Sequence, residues 1–252
     1  PYAAYLAFTD QTIASVSPEL FFRLDGDHIC MEPMKGTAPR GSSPESDTEN
    51  EQTLRTSLKD QAENLMIVDM IRNDLGRIAT PGSIRVTELF KLQPLPTVWQ
   101  QTSTITADSK ASLQEILKAL FPCASITGAP KHRTMEIIKE LESEPRGPYT
   151  GAIGFLHGPR SMRFSVGIRT LILTPDGQAK FGVGSGVVWE STGPGEWQES
   201  LDKAKVLDAL GSPELIETMR FEPDAGVDLW PLHLVRLANS NQLFHYPFDP
   251  LN

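Results

Sequence analysis

The 252-residue sequence has little cysteine, no histidine cluster, no excess of basic charge and no long apolar run. Its two cysteines, Cys30 and Cys123, lie far apart without Cys-x-x-Cys or other metal-ligand spacing. That excludes a disulfide framework and predicts free buried thiols in a reducing compartment, by default the cytoplasm. His28, His132, His157, His233 and His245 show no metal spacing either. Lys and Arg number 23 against 32 Asp and Glu, for a net charge of −9. Nucleic acid, whose phosphates call for clustered cations, is a poor partner for such a chain. No apolar run approaches the roughly 20 residues that cross a bilayer. The chain has no signal peptide and no initiator methionine, and it opens inside the strand-like run Tyr2 to Phe8; its natural N-terminus is expected upstream.

What is present is an ordinary globular composition, 39% hydrophobic and 22% charged, in a chain long enough for one large core or two small ones. Residues 2–8, 12–17, 20–24 and 28–34 are short runs rich in Tyr, Phe, Val and Ile, broken by Thr9-Asp10 and Asp25-Gly26-Asp27. They read as an antiparallel meander. Arg40 to Asn50 reads as a mobile polar loop. From Leu54 the spacing of Leu54, Leu58, Ala62, Leu65, Ile71, Leu75 and Ile78 predicts one long amphipathic helix ending near Gly76 to Pro81. Strands are expected over 83–90 and 97–104, and helices over 112–121, 132–141 and 195–210, the last packing through Trp197, Leu201, Ala204 and Leu207. Ser161 to Leu173 alternates as a strand that puts Arg169 away from its apolar face. Phe181 to Val188 is not a dinucleotide loop, because its glycines alternate within a strand rather than preceding a helix. Such glycines leave one strand face bare for close approach of a ligand.

Several residues have both a bland and a chemical reading. Lys35 sits between Pro33 and Gly36 at the end of a strand-like run. It is either a surface lysine in a turn or a nucleophile, since desolvation or a neighbouring cation can free a lysine lone pair. Glu19, after Pro18, reads in isolation as an exposed glutamate at the start of a strand. Asp60 and Glu63 stand at i and i+3, as do Glu196 and Glu199, with Lys203 four residues after Glu199. These are either solvated charges or, if the two helices face each other, an oxygen-rich site for magnesium.

Ser17-Pro18-Glu19-Leu20, Pro33-Met34-Lys35-Gly36-Thr37, Ile126-Thr127-Gly128-Ala129-Pro130-Lys131 and the Gly182 to Val188 run together resemble the chorismate-utilising enzymes, over about residues 1 to 210. Lysine before the glycine and threonine looks like component I of aminodeoxychorismate synthase, whereas anthranilate and isochorismate synthases usually carry alanine there. The resemblance implies an α+β, anthranilate-synthase-like fold of antiparallel sheets flanked by helices, here N-terminally incomplete. It implies Lys35 as nucleophile and Glu19 as general acid. Substrate would be held by Thr127, Tyr149, Arg169, Gly184, Ser185, Gly186 and Lys203. Glu63 and Glu199 would be direct Mg2+ ligands, with Asp60 and Glu196 bridged by water. The expected reaction is chorismate plus ammonia to 4-amino-4-deoxychorismate, with ammonia from a glutamine amidotransferase subunit. Anthranilate synthase is the alternative, and a non-catalytic fragment another. One departure is Gln100, which stands where the family commonly has histidine. After Gly211 the resemblance changes: Leu215 to Arg220 and His233 to Leu237 look like the opening of a class IV pyridoxal-phosphate lyase. The chain is therefore expected to divide into a synthase domain, 1–211, and a truncated lyase start, 212–252.

Overall fold

A computed structural model of the chain describes residues 2–95, 98–189 and 191–207, then 221–222, 226–227, 232 and 235. Two compact units are present, Pro1–Ser200 and Leu201–Asn252. The division falls within a helix, and the expected boundary near Gly211 lies outside the described residues.

The first unit is α+β. Its four opening strands form where the Tyr, Phe, Val and Ile runs predict, β1 (Tyr2–Ala7), β2 (Thr12–Ser17), β3 (Leu20–Asp25) and β4 (His28–Glu32), but as two separate hairpins and not as the single meander expected. The chain changes sheets between β2 and β3. β1 and β2 belong to a four-stranded antiparallel sheet with β10 (Thr170–Leu173) and β11 (Ala179–Phe181), in the order β1-β2-β10-β11. β3 and β4 join β5 (Met34–Pro39), β6 (Arg85–Pro94), β7 (Val98–Asp108), β8 (Ala152–Gly158) and β9 (Ser161–Val166) in a seven-stranded sheet. β7 is long enough to carry β6 along one edge and β4 and β5 in succession along the other.

Helices α2 (Leu58–Leu75) and α3 (Leu113–Leu120) supply the other side of the core. Phe21, Phe22 and Leu24 of β3 pack with Ile29 and Met31 of β4, Ile67, Val68 and Ile71 of α2, and Ile116 and Leu120 of α3. Phe22 is fully buried and stacks on Phe164 with ring centroids 5.0 Å apart. Burial of each such side chain contributes about 1.5–3 kcal/mol.

Three expectations are corrected here. The 40–50 segment is not a loop: α1 (Pro44–Thr56) begins there, with Ser43 as N-cap and a reciprocal capping contact to Ser46. Its Asp47 carboxylate takes Arg40 Nε at 2.7 Å and Nη2 at 2.6 Å, the Gly41 N–H at 2.8 Å and the Trp99 indole at 3.0 Å. Only Leu54 of this helix is buried, so no apolar period announced it. Secondly, the long helix from Leu54 is broken at Ser57, which ends α1 and caps α2 by accepting from the Asp60 N–H. The restart changes the inward face over its first turns, where Leu58 and Leu65 are exposed and Asn64, Ile67 and Val68 are buried; Ile71 and Leu75 face the core as expected. Thirdly, α6 (Gly193–Ala204) leaves Trp197 and Leu201 exposed rather than packed, and ends at Ala204; residues 208–210 lie outside the described residues.

In the second unit, β12 (Phe221–Glu222) pairs antiparallel with β13 (Gly226–Val227).

Candidate active site

The site grows from the places where the chain crosses between the two sheets. The β2-to-β3 crossing carries Ser17, Pro18 and Glu19, and the β9-to-β10 crossing carries Gly167, Ile168 and Arg169. The crossings run side by side, with the Val166 N–H donating to Glu19 O at 3.1 Å and the Val16 N–H to Arg169 O at 3.1 Å. Arg169 is accordingly not a strand residue, which corrects the alternating 161–173 strand. It is exposed and adopts φ of +47°, a left-handed conformation rare for arginine.

Glu19 is 3% exposed. Register shifts in β3 directly after it, against both β4 and β9, and such bulges re-aim side chains beside active sites. Ser125 Oγ donates to Glu19 Oε1 at 2.6 Å. Burial raises the carboxyl's pKa to about 7 against the opposing pull of the Ser125 hydrogen bond, the Lys35 charge and the Met34 N–H. Near neutral pH Glu19 therefore holds a proton it can give up, the condition for a general acid.

Lys35 lies on a second bulge. β5 and β7 lose register between Met34 and Thr37, and Gly36 there has φ of +90°, where a side chain is strained. A Cβ on Gly36 would also stand 3.0 Å from Asp60 Cβ. The bulge is clamped by Gln100, whose Nε2 donates to Gly36 O at 2.8 Å and whose Oε1 accepts from Thr37 Oγ1 at 3.0 Å. The half-buried Lys35 amine reaches the backbone of Gly186, where a Cβ would be 3.1 Å from Nζ.

The expected glycine strand is a strand only to Phe181; residues 182–188 continue as an extended loop. Tyr149 explains its glycines, since a Cβ would lie 2.3 Å from the ring at Gly182 and 2.8 Å from the hydroxyl at Gly184. Burial raises the pKa of Tyr149. Thr150 N–H donates to Gly167 O at 2.8 Å, so Tyr149 is anchored beside the Arg169 crossing. Ser185 is half-buried in the same loop. Glu19, Lys35, Tyr149 and the 182–186 loop are thus one neighbourhood assembled from four segments.

Thr127 ends the short α4 (Ala124–Thr127) and gives its hydroxyl to Cys123 O at 2.8 Å. It lines a cleft of about 520 Å³ with Phe121, Ile126, Met135, Tyr149 and Gly151. Glu19 and Lys35 do not line that cleft. Pro130, expected in the first turn of the next helix, is the N-cap of α5 (Lys131–Leu141). Lys131 is structural: its amine meets Asp74 at 2.5 Å and Leu120 O at 3.1 Å.

Asp60 and Glu63 lie on the partly buried side of α2, next to buried Asn64 and Ile67. Glu196 is half-buried and accepts from Ser191 Oγ at 2.5 Å, whereas Glu199 is exposed. Among the described residues no three His, Cys, Asp or Glu side chains come close enough together to hold a metal ion. The two acidic pairs are therefore not brought into one such group. Lys203 lies in the second unit and is exposed. Sequence reasoning missed Ser125, although it adjoins a motif that had been singled out, and gave Gly182 no partner, whereas Tyr149 packs against it.

Residues 1–209 match the family described as chorismate binding enzyme, to which the chain belongs. Within that class it is 48% identical over 205 residues to aminodeoxychorismate synthase component 1 of Salmonella typhimurium, a match covering 81% of this chain and 45% of that protein. Anthranilate synthase component 1 3 of Haloarcula marismortui is 41% identical over 209 residues, covering 82% and 41%. The crystal structure of anthranilate synthase component I from Streptococcus pneumoniae superposes with a TM-score of 0.73 at 33% identity, covering 81% of this chain and 45% of that one. The menaquinone-specific isochorismate synthase of Escherichia coli shares the fold, with a TM-score of 0.75 at 24% identity over 82% of this chain and 48% of that one. The chain spans about half the length of these relatives.

Proposed function

We propose that the chain carries the reaction centre of a cytoplasmic aminodeoxychorismate synthase, which converts chorismate and ammonia to 4-amino-4-deoxychorismate and water on the way to p-aminobenzoate and folate. The observation that carries this reading is a lysine amine on a glycine bulge next to a buried carboxyl that keeps its proton near neutral pH. Glu19 delivers that proton to the C4 hydroxyl, which leaves as water. Lys35, in its unprotonated form, attacks C2 as the ring double bond shifts, and its nitrogen then loses a proton. Ammonia next enters at C4 and gives up a proton, the double bond shifts back, and the C2–N bond breaks as the Lys35 nitrogen takes up a proton and leaves as the amine. Splitting the displacement in two lowers each barrier. Tyr149, Arg169, Thr127 and the 184–186 main chain would orient the substrate carboxylates, for which arginine offers a two-pronged partner.

Ammonia would come from a glutamine amidotransferase subunit. Burial pushes the Cys30 thiol up to about 11 and the Cys123 thiol up to about 12, so neither supplies the thiolate that attack on glutamine requires. Magnesium commonly uses only one or two protein carboxylates and completes its shell with water and substrate. Glu63 and Glu199 would serve as those two, with Asp60 and Glu196 behind water, and the ion would neutralise substrate carboxylate charge. The 212–252 segment is read as the start of a class IV pyridoxal-phosphate lyase, on Leu215 to Arg220 and His233 to Leu237; nearly all of it lies outside the described residues. Anthranilate synthesis is the second reading, favoured by the Haloarcula relative, and Lys35 argues against it.

The test is incubation with chorismate, ammonium and magnesium, read by mass spectrometry, for the parent and Lys35→Ala. Aminodeoxychorismate from the parent alone is expected. Anthranilate as product, or an unchanged rate in Lys35→Ala, defeats the assignment.

A further inference from the structure

We infer that Cys123 and Ser125 form a one-way hydrogen-bond chain that fixes how the Glu19 carboxyl points and how readily it releases its proton, which makes Ser125 a positioning residue for the acid. The inference rests on the reading of Glu19 as the acid and extends it to residues that no motif assigns. Donor accounting gives the direction. The Ser125 hydroxyl has one proton and gives it to Glu19 Oε1 at 2.6 Å. Its oxygen can then only accept, and Cys123 Sγ stands 3.2 Å away. The thiol is 4% exposed, and with its pKa pushed up to about 12 by burial and by the Glu19 charge it keeps its proton and remains a permanent donor. Thr127 Oγ1 holds Cys123 O at 2.8 Å, which steadies the turn presenting both groups.

The chain therefore runs from Cys123 S–H to Ser125 O–H to Glu19 Oε1. With Oε1 held, Oε2 is left as the oxygen that exchanges protons with a substrate. The titratable and charged groups facing Glu19 are Lys35 from β5 and Cys123 from the turn before α4, and Lys131 of α5 bears on Cys123 in turn. Lys35 also favours the ionised carboxylate, so Ser125 and Lys35 jointly limit the rise that burial causes. Removing the Ser125 hydroxyl leaves burial less opposed, and the carboxyl should hold its proton to higher pH.

The experiment reads Glu19 directly, without substrate. The full chain is labelled with 13C at glutamate carboxyls, Glu19→Gln identifies the resonance, and its titration is followed in Ser125→Ala, Ser125→Thr and Cys123→Ala. Ser125→Ala should move the midpoint upward by about one pH unit, the scale of a hydrogen bond to a charged group. Ser125→Thr should restore it, and Cys123→Ala should move it the same way by less. Ser125→Cys, a weak donor of similar size, replaces the alanine variant if that one fails to fold. An unmoved midpoint in folded Ser125→Ala or Ser125→Cys overturns the inference. In a parallel arm, the high-pH limb of the amination rate should shift with the midpoint. A shifted midpoint in a chain that does not aminate chorismate refutes the proposed function and upholds the positioning role. A normal amination profile with an unmoved midpoint does the reverse.

Discussion

The same substitution made four residues apart in one extended loop should have opposite consequences at Gly182 and Gly186. At Gly182 an alanine Cβ would fall 2.3 Å from Tyr149 Cγ and 2.7 Å from both Cδ atoms. A planar ring cannot yield by rotating about its own axis when three of its atoms are struck, so Tyr149 or the loop backbone has to move. Overpacking of this kind costs about 2–3 kcal/mol. At Gly186 the atom met is Lys35 Nζ at 3.1 Å, the free end of a flexible side chain. It can retreat by a few tenths of an ångström, so stability should change by no more than about 0.5 kcal/mol. The displaced atom is, however, the proposed nucleophile. Small misplacement of reacting atoms is costly, so the amination rate should fall about tenfold. Urea unfolding and the mass-spectrometric rate on Gly182→Ala and Gly186→Ala separate the effects. A Gly182→Ala protein as stable as the parent would refute the steric argument. A Gly186→Ala protein that is destabilised by more than about 1 kcal/mol, or fully active, would refute the placement of the amine.

Two further outcomes follow from buried charge. Asp74 and Lys131 meet at 2.5 Å with side-chain exposures of 12% and 18%; Asp74→Ala alone should cost about 3 kcal/mol by stranding the ammonium, while Asp74→Leu with Lys131→Met should cost much less, as a double-mutant cycle would show. Glu19 binds its proton with a midpoint of about 7 in the fold against an ordinary 4.5. Its carboxyl therefore favours folding fully below that ordinary value, and the contribution is lost as pH rises through 7. Glu19→Gln, which mimics the protonated form, should gain on the parent by about 2–3 kcal/mol between pH 5 and pH 8, and a constant difference across that range would contradict the assigned burial.

Composition and turn residues were enough to place the first four strands, as runs of Tyr, Phe, Val and Ile broken by Thr9-Asp10 and Asp25-Gly26-Asp27, and Pro130 marked the start of the helix that follows it. Sequence also singled out Lys35, through its place between Pro33 and Gly36, and Glu19, through the motif around it. The polar α1 escaped because it is held by Asp47 contacts and one buried leucine rather than by a stripe. The first half of the expected stripe, Leu58 to Leu65, faces out because a single serine ends one helix and starts the next, and a cap is decided by backbone geometry that apolar spacing does not record; Ile71 and Leu75 are buried as their spacing predicts. The proton on Glu19 was a matter for tertiary structure alone. Its burial and its Ser125 partner come from segments 106 residues apart, and desolvation depends on everything packed around a group rather than on its neighbours in sequence. The same reason separates the two acidic pairs, equal as i and i+3 patterns: packing half-buries Asp60 and Glu63 and leaves Glu199 in water.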